Sequence, residues 1–322
     1  MFSCRVVFSL ATFLLVSGCL VQAQTPRAAR NSYERGTKKF QNGDFSGAIE
    51  DFTRAIELSS QLEVSKGASG NAPPSMNSFD GPSVETPGVM VIDPFTADAL
   101  TSRGFARYRL GDVEGAMLDW DRAIRINPGL AAAYLDRGCA RYATGNTPGA
   151  LADWSRALQI DPKLADAYGN RGAIRRELGD SENSLADLNQ ALSLDPRNAK
   201  AYCHRGYLWL DKRDADQALA DFNKAIELEP AMAWAYHGRG NARVMKYELD
   251  AAMADFDKAL ELNPHMAIAF MNRGLALLLQ GKDVEAEKDL TEAVSINPAI
   301  KPELDARVKL AKQLRQARVA TH

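Results

Sequence analysis

Apolar residues recur along this chain on two scales. Within short segments they fall three and four residues apart, the spacing of an amphipathic helix. Over a longer distance the whole pattern returns every 34 residues. With Ala97 taken as position one, position four reads Leu100, Tyr134, Tyr168, Tyr202, Tyr236 and Phe270, and position 24 reads Trp120, Trp154, Leu188, Phe222, Phe256 and Leu290. Between these two apolar stripes position 15 is usually Gly and position 16 usually Asp or Asn, so each copy predicts a helix, a tight turn and a second, antiparallel helix. Position eight is Gly throughout and position 20 is Ala except for Ser184, so the two helices are expected to approach closely at that crossing. Proline at position 32, from Pro128 to Pro298, cannot continue a helix and biases its predecessor toward extended geometry, which ends the unit. Six copies run from 97 to 300 without an inserted or deleted residue: 97–130, 131–164, 165–198, 199–232, 233–266 and 267–300. An earlier copy, 29–62, places Gly36, Ala48, Phe52 and Ala55 in the same register two periods upstream. A period of this length marks an array of supersecondary units rather than one closed globule.

Two charged positions are as regular as the apolar ones. Position seven is Arg35, Arg103, Arg137, Arg171, Arg205, Arg239 and Arg273; position 23 is Asp51, Asp119, Asp153, Asp187, Asp221, Asp255 and Asp289. In a hairpin of helices turning near position 15 these two are mirror partners. The expectation is an arginine–aspartate contact inside every repeat, a bidentate pair that fixes geometry more than it adds net stability. The competing reading is a row of arginines kept for an anionic ligand.

Two intervals break the pattern. Residues 63–96 are rich in Gly, Pro, Ser and Asn, and Pro73 and Pro74 argue against a concealed repeat. They form either a surface loop or a strap over a neighbouring groove, docked through Val89, Met90, Val91 and Ile92. At the other end, 301–322 predicts a last helix from Pro302 to Ala320 and a short tail. Leu304, Val308, Ala311 and Leu314 make its apolar stripe, while Arg307, Lys309, Lys312, Arg315 and Arg318 line the other face. Such a helix caps an array, and its basic face is also suited to an acidic membrane or partner.

The N-terminal segment has one positive charge, Arg5, then an apolar run from Val6 to Val16 followed by small residues, the layout of a secretory signal. Cleavage after Ala23 gives a signal peptide of residues 1–23 and a periplasmic or secreted protein. Alternatively, Val16-Ser17-Gly18-Cys19 resembles a lipobox, in which Cys19 is lipidated and anchors the chain to a membrane after loss of residues 1–18. Both readings stay open. No other stretch is long and apolar enough to span a bilayer, so the mature chain is expected to lack a transmembrane segment.

Composition narrows function by exclusion. The formal net charge of −2 offers no global field for nucleic acid. Cys139 and Cys203 lie about two repeats apart, too far for a disulfide. The four histidines, His204, His237, His265 and His322, have no metal-ligand spacing, and no nucleophile elbow, zinc-protease, Walker or dinucleotide fingerprint occurs. The chain is expected to be non-catalytic, with no cofactor and no metal.

The spacing, the Gly/Ala crossing and the aromatic positions together resemble the tetratricopeptide repeat, from about Ala29 to Ile300 apart from the insertion. The resemblance departs at position four, mostly Tyr here, at position seven, always Arg, and at position 11, mostly Arg. It implies an all-α, right-handed superhelical solenoid of seven helix–turn–helix repeats with a C-terminal capping helix. It also implies a groove lined by first helices that binds a protein or peptide partner. Positions two, five, nine, 12 and 13 are expected to project there. On that basis Phe105, Tyr108, Tyr142, Arg176, Lys200, Tyr207, Trp234, His237, Asn241 and Met245 are the candidate contact residues. Ile268, Met271, Leu275 and Leu279 make the late groove apolar, a surface either for the capping helix or for a small apolar ligand. Chaperone-binding members of the family clamp a carboxylate; Asn170, Lys200 and His204 echo part of that set, but Leu135 and Cys139 stand where its leading Lys and Asn belong, and the activity is not carried over. The reading that follows is a non-catalytic interaction scaffold of the bacterial cell envelope; an accessory subunit of an enzyme complex is the further alternative.

Overall fold

The computed structural model describes residues 25–67 and 94–320. The leader with Cys19 and most of the insertion, including Pro73, Pro74 and the run from Val89 to Ile92, lie outside these residues. Every regular element among them is helical: α1 Arg27–Gln41, α2 Phe45–Gly67, α3 Pro94–Arg109, α4 Val113–Ile126, α5 Ala131–Ala143, α6 Thr147–Ile160, α7 Ala165–Glu177, α8 Ser181–Leu194, α9 Ala199–Asp211, α10 Ala215–Leu228, α11 Ala233–Met245, α12 Leu249–Leu262, α13 Ala267–Gln280, α14 Asp283–Ile296 and α15 Lys301–Ala320, with a single 3₁₀ turn at Pro298–Ile300. The chain falls into two compact units, residues 1–170 and 171–322. Helix α2 continues five residues past Leu62 and α3 begins at Pro94, so helix occupies both ends of the interval 63–96 read from sequence as insertion.

Local chemistry sets each hairpin. Position 15 is left-handed in every copy: Gly43, Gly111, Gly145, Gly179 and Gly281 have φ of 81 to 86°, and Arg213 and Tyr247 take φ of 62 and 61° in the two copies without glycine. In every copy but the last two, where Glu248 and Lys282 make no cap bond, the next residue caps the second helix. Asp112 accepts from the Gly115 amide at 2.9 Å, Asn146 from Gly149 at 3.0 Å and Asp214 from Gln217 at 3.0 Å. Residues preceding the proline, such as Asn127, Asp161 and Asp195, are extended, with φ near −130°, as the ring behind them requires.

The core of each hairpin is the residue at position 24, pressed onto the glycine at position eight. A Cβ on Gly104 would lie 2.8 Å from the Trp120 ring, on Gly138 2.7 Å from Trp154, and on Gly206 2.8 Å from Phe222. The glycine therefore makes room for a ring from the second helix rather than only for the small residue at position 20. Trp120, Trp154, Phe222 and Phe256 are fully buried, and the two indoles donate to the carbonyls of Thr101 and Leu135.

The arginine–aspartate contact occurs in all seven hairpins. Arg103 donates through Nε and Nη2 to the Asp119 carboxylate at 2.9 and 2.6 Å, and Arg137 does the same to Asp153. Arg171, Arg205, Arg239 and Arg273 hold Asp187, Asp221, Asp255 and Asp289, and Arg35 holds Asp51. The aspartates are 2 to 7% exposed, so each pair is anchored in the wall rather than open to a ligand. A second donor comes from position 11: Arg107, Arg141, Arg175 and Arg243 at 2.6 to 2.9 Å, Lys39 at 3.0 Å, and the Trp209 indole at 3.1 Å. The remaining Nη1 arm of the position-seven arginine reaches back to position 25 of the preceding hairpin, as from Arg137 to Asp121 and from Arg273 to Asp257, both at 2.7 Å. One guanidinium thus closes its own hairpin and stitches it to the one before. The ring at position four lies under that guanidinium; Tyr134, Tyr202, Tyr236 and Phe270 sit 5.4 to 5.5 Å from it.

Helix α15 covers the end of unit 2. Leu304 and Ala311 are buried and Val308 is half-buried, packed with Met271, Leu275, Leu279 and Leu290; Arg315 donates to the Leu278 carbonyl and to Asp283. Leu314, expected in the same stripe, is 55% exposed, because it turns off the buried side of the helix with Leu310.

Candidate functional site

The first helix of each hairpin presents the surface that differs between copies, and the two units furnish it differently. In unit 1, Phe105 is 5% exposed and packs 5.1 Å from the Phe40 ring. Tyr108 and Tyr142 are half-buried, 6.1 and 6.3 Å from Trp120 and Trp154. Burial raises the Tyr108 hydroxyl above its ordinary pKa, and the neighbouring Cys139 adds to that.

In unit 2 five of the candidate residues, Arg176, Tyr207, Trp234, His237 and Asn241, form one connected cluster. Tyr207 (α9) donates to the Trp234 carbonyl at 2.8 Å and lies 2.9 Å from His237 Nδ1 (α11). With the hydroxyl proton committed to that carbonyl, Nδ1 carries the ring proton and donates, which leaves Nε2 as the acceptor. Asn272 (α13) donates to Nε2 at 2.9 Å and to Asn241 Oδ1 at 2.9 Å. His237 is thereby held neutral; burial depresses it to about 3. Arg176 (α7) stacks 5.4 Å over the Tyr207 ring and pairs with Asp211 at 3.0 Å. His204 (α9) is pushed down to about 4 by burial and by Arg176 and Lys200.

Accessibility divides the ten candidates. His237 is 1% and Tyr207 7% exposed, so with Phe105 they brace the face from within instead of reaching a partner. The reason is the seam between successive first helices. Position five, expected to project, is buried in each of the six later copies: Thr101, Leu135, Gly169, Cys203, His237 and Met271. Trp234, Asn241, Lys200, Arg176, Tyr108 and Tyr142 are partly accessible and Met245 is 41% exposed. The apolar late segment is not open: Met271 is buried against Leu304, while Ile268, Leu275 and Leu279 pack in the same clusters as α15. Cys139 and Cys203 are buried free thiols.

Position six entered the sequence reading only through Asn170 and His204 and the carboxylate clamp, although it is polar in five of the six later copies: Ser102, Asp136, Asn170, His204 and Asn272. These side chains line the seam. Ser102 bonds the Tyr33 hydroxyl at 3.0 Å, and Asn170 donates to the Cys139 sulfur at 3.5 Å. The regular polar insertion into an apolar pattern was the available signal.

Among the described residues no group of three or more His, Cys, Asp or Glu side chains could hold a metal, and no helix is long and apolar enough to cross a membrane. Paired helices in repeated register, with an inner face of variable polar and aromatic residues, define a helical-repeat protein. Models of the tetratricopeptide (TPR) repeat match residues 138–175, 172–212, 199–232 and 238–299. The chain is a tetratricopeptide-repeat protein, and members of this family generally serve as non-catalytic scaffolds for protein–protein interaction.

Solved structures agree on the fold. A tetratricopeptide repeat protein from Parabacteroides merdae ATCC 43184 aligns with a TM-score of 0.57 at 20% identity, over 89% of this chain and 99% of that one. PilF of Pseudomonas aeruginosa aligns at 0.53 and 20% identity, over 69% of this chain and 97% of its own. The APC/C hetero-tetramer Cut9–Hcn1 aligns at 0.61 and 17% identity, over 86% of this chain and 54% of that one. No curated protein matches the chain.

Proposed function

We propose that this protein is a non-catalytic scaffold of the bacterial cell envelope that takes up an extended segment of a partner protein on the inner face of its first helices. Seven repeats, 29–62 and 97–300, supply the frame. The observation that carries the reading is the cluster around His237. A buried histidine, fixed in tautomer and hydrogen-bonded from α9 and α13, holds Asn241 and Asn272 at a surface where Trp234, Lys200 and Met245 are also accessible. Rigidly held amides beside an aromatic ring recognise peptide groups at low entropic cost. The leader composition supports export, either as a soluble protein or through lipidated Cys19.

Selection of a random peptide library on the full chain tests the site. Peptides are expected to be enriched and to lose at least fivefold in affinity with Trp234→Ala or Asn241→Ala at unchanged helical content. Equal binding by both variants would remove the contact role from this cluster.

A further inference from the structure

The hydrogen bonds around His237 fix which way each neighbouring amide turns. The Tyr207 hydroxyl gives its proton to the Trp234 carbonyl at 2.8 Å, so His237 Nδ1 donates to that hydroxyl and Nε2 keeps the one lone pair of the ring. Asn272 fills this lone pair with one amide hydrogen at 2.9 Å and gives the other to Asn241 Oδ1 at 2.9 Å. Asn241 therefore spends its oxygen inside the cluster. Its amide nitrogen stands 3.4 Å from a lone pair that Asn272 already occupies, so its hydrogens are left for the partly accessible face. The Asn272 oxygen turns the other way, toward the capping helix, where Arg307 Nη1 reaches it at 3.5 Å.

Arg307 brings a positive charge to the same place. Its side chain is 45% exposed, and among the described residues its one ion pair is with Glu303, a turn earlier on α15 and itself 56% exposed. An exposed pair at this spacing is weak, so it gives way to a better-placed carboxylate. Of the five guanidinium N–H groups one faces Asn272 and one Glu303, which leaves three unspent. The Asn241 amide and the Arg307 fork thus flank one residue, bonded to its nitrogen and to its oxygen respectively. Both offer donors, and one carries charge. A peptide carbonyl would use the amide and waste the charge, and a cation would be repelled by it. A planar carboxylate uses both, because a guanidinium edge matches its geometry and its second oxygen is free for an amide.

We propose that Asn241 and Arg307, spaced by Asn272, form the receptor for a carboxylate of the bound segment, one oxygen on the Asn241 amide and the other on the guanidinium. The inference rests on the inner face of the first helices being a peptide-binding surface, and it makes α15 part of that surface as well as a cap. The carboxylate is an acidic side chain or the end of the partner chain; the chemistry is the same.

The peptide-library selection described above tests this when Arg307→Gln and Asn241→Asp are screened beside the parent. Arg307 lies on an exposed face, and an aspartate at 241 still accepts from Asn272 while repelling an anion, so helical content should not change. Peptides with an acidic residue or a free C-terminus at one register should be enriched, and either variant should weaken them at least tenfold. Neutralising a selected peptide, by a side-chain amide or by C-terminal amidation, should cost the parent at least tenfold and Arg307→Gln less than threefold. Whichever modification has that effect names the source of the carboxylate. Peptides that lose nothing on neutralisation, that lose equally on both proteins, or that bind Arg307→Gln as tightly as the parent while depending on Trp234 would overturn the carboxylate receptor and leave the groove standing. Failure to select any peptide would overturn both.

Discussion

The two units share one frame and carry opposite chemistry on their variable face. In unit 1 the buried ionisable side chain in the seam is an acid, Asp136, with Asp166 beside it. In unit 2 the ionisable side chains there are the half-buried His204 and the buried His237, with Arg176 and Lys200 beside His204. Burial acts on both by penalising charge, so it raises the acid and lowers the bases. The frame is indifferent to this contrast, because its own charges are paired within each hairpin. The lesson is a division of labour: regular positions hold the array, and irregular ones near the seam give each unit its own chemistry.

The largest expected effect comes from breaking the frame. Asp153→Ala removes the buried carboxylate shared by Arg137 and Arg141, leaving Arg137 only Asp121, and is expected to cost about 3–5 kcal/mol in urea unfolding. Asp289→Ala should cost less, because Leu277 stands at position 11 of the last repeat and only Arg273, which keeps Asp257, loses a contact. Equal losses at the two sites would show that the second arginine contributes nothing.

The contrast between units predicts opposite pH responses. Asp136 keeps its proton in the fold up to about pH 8, whereas the unfolded carboxyl releases it near 4. The folded state holds the extra proton across that window, so this contribution falls as pH rises from about 4 to 8. Asp136→Asn should therefore be stabilising at pH 8, by an amount on the order of a few kcal/mol that vanishes toward pH 4. His237 stays neutral in the fold down to about 3, while unfolded histidine gains a proton near 6.5. Here the unfolded state holds the extra proton, so stability is lost as pH falls from about 6.5 toward 3, and His204 acts in the same direction down to about 4. Thermal midpoints of the parent, Asp136→Asn and His237→Gln between pH 4 and 8 check both slopes; parallel curves would erase the distinction between the units.

The smallest expected effect lies in the turns. Arg213 and Tyr247 occupy the left-handed position that glycine fills in the other five hairpins. Arg213→Gly should stabilise unit 2 by about 0.5–1 kcal/mol, since a side chain in that conformation is strained. A decrease in the urea midpoint would mean that the arginine side chain contributes more than its backbone costs.

Much of the frame was legible before any coordinates, because it is written in local spacing. A 34-residue period, glycine at a turn, proline at a helix end and an arginine 16 residues before an aspartate each have a single geometric meaning once two helices form a hairpin. The pairing of Arg103 with Asp119, and of its six counterparts, follows from that symmetry. What a single helix cannot specify is which of its faces a neighbour covers. The spacing puts His237 and Asn241 one turn apart on the same side of α11, yet packing against α9 and α13 buries the first and leaves the second partly open. In the same way Met271 belongs to a groove on paper and to a core once Leu304 is set against it. Asp136 reads as an ordinary surface acid in the sequence, and only the seam formed with the neighbouring first helices strips away its water and leaves its carboxyl without a partner. Periodicity is local and survives translation from copy to copy; burial depends on contacts between copies, and these exist only in the folded chain.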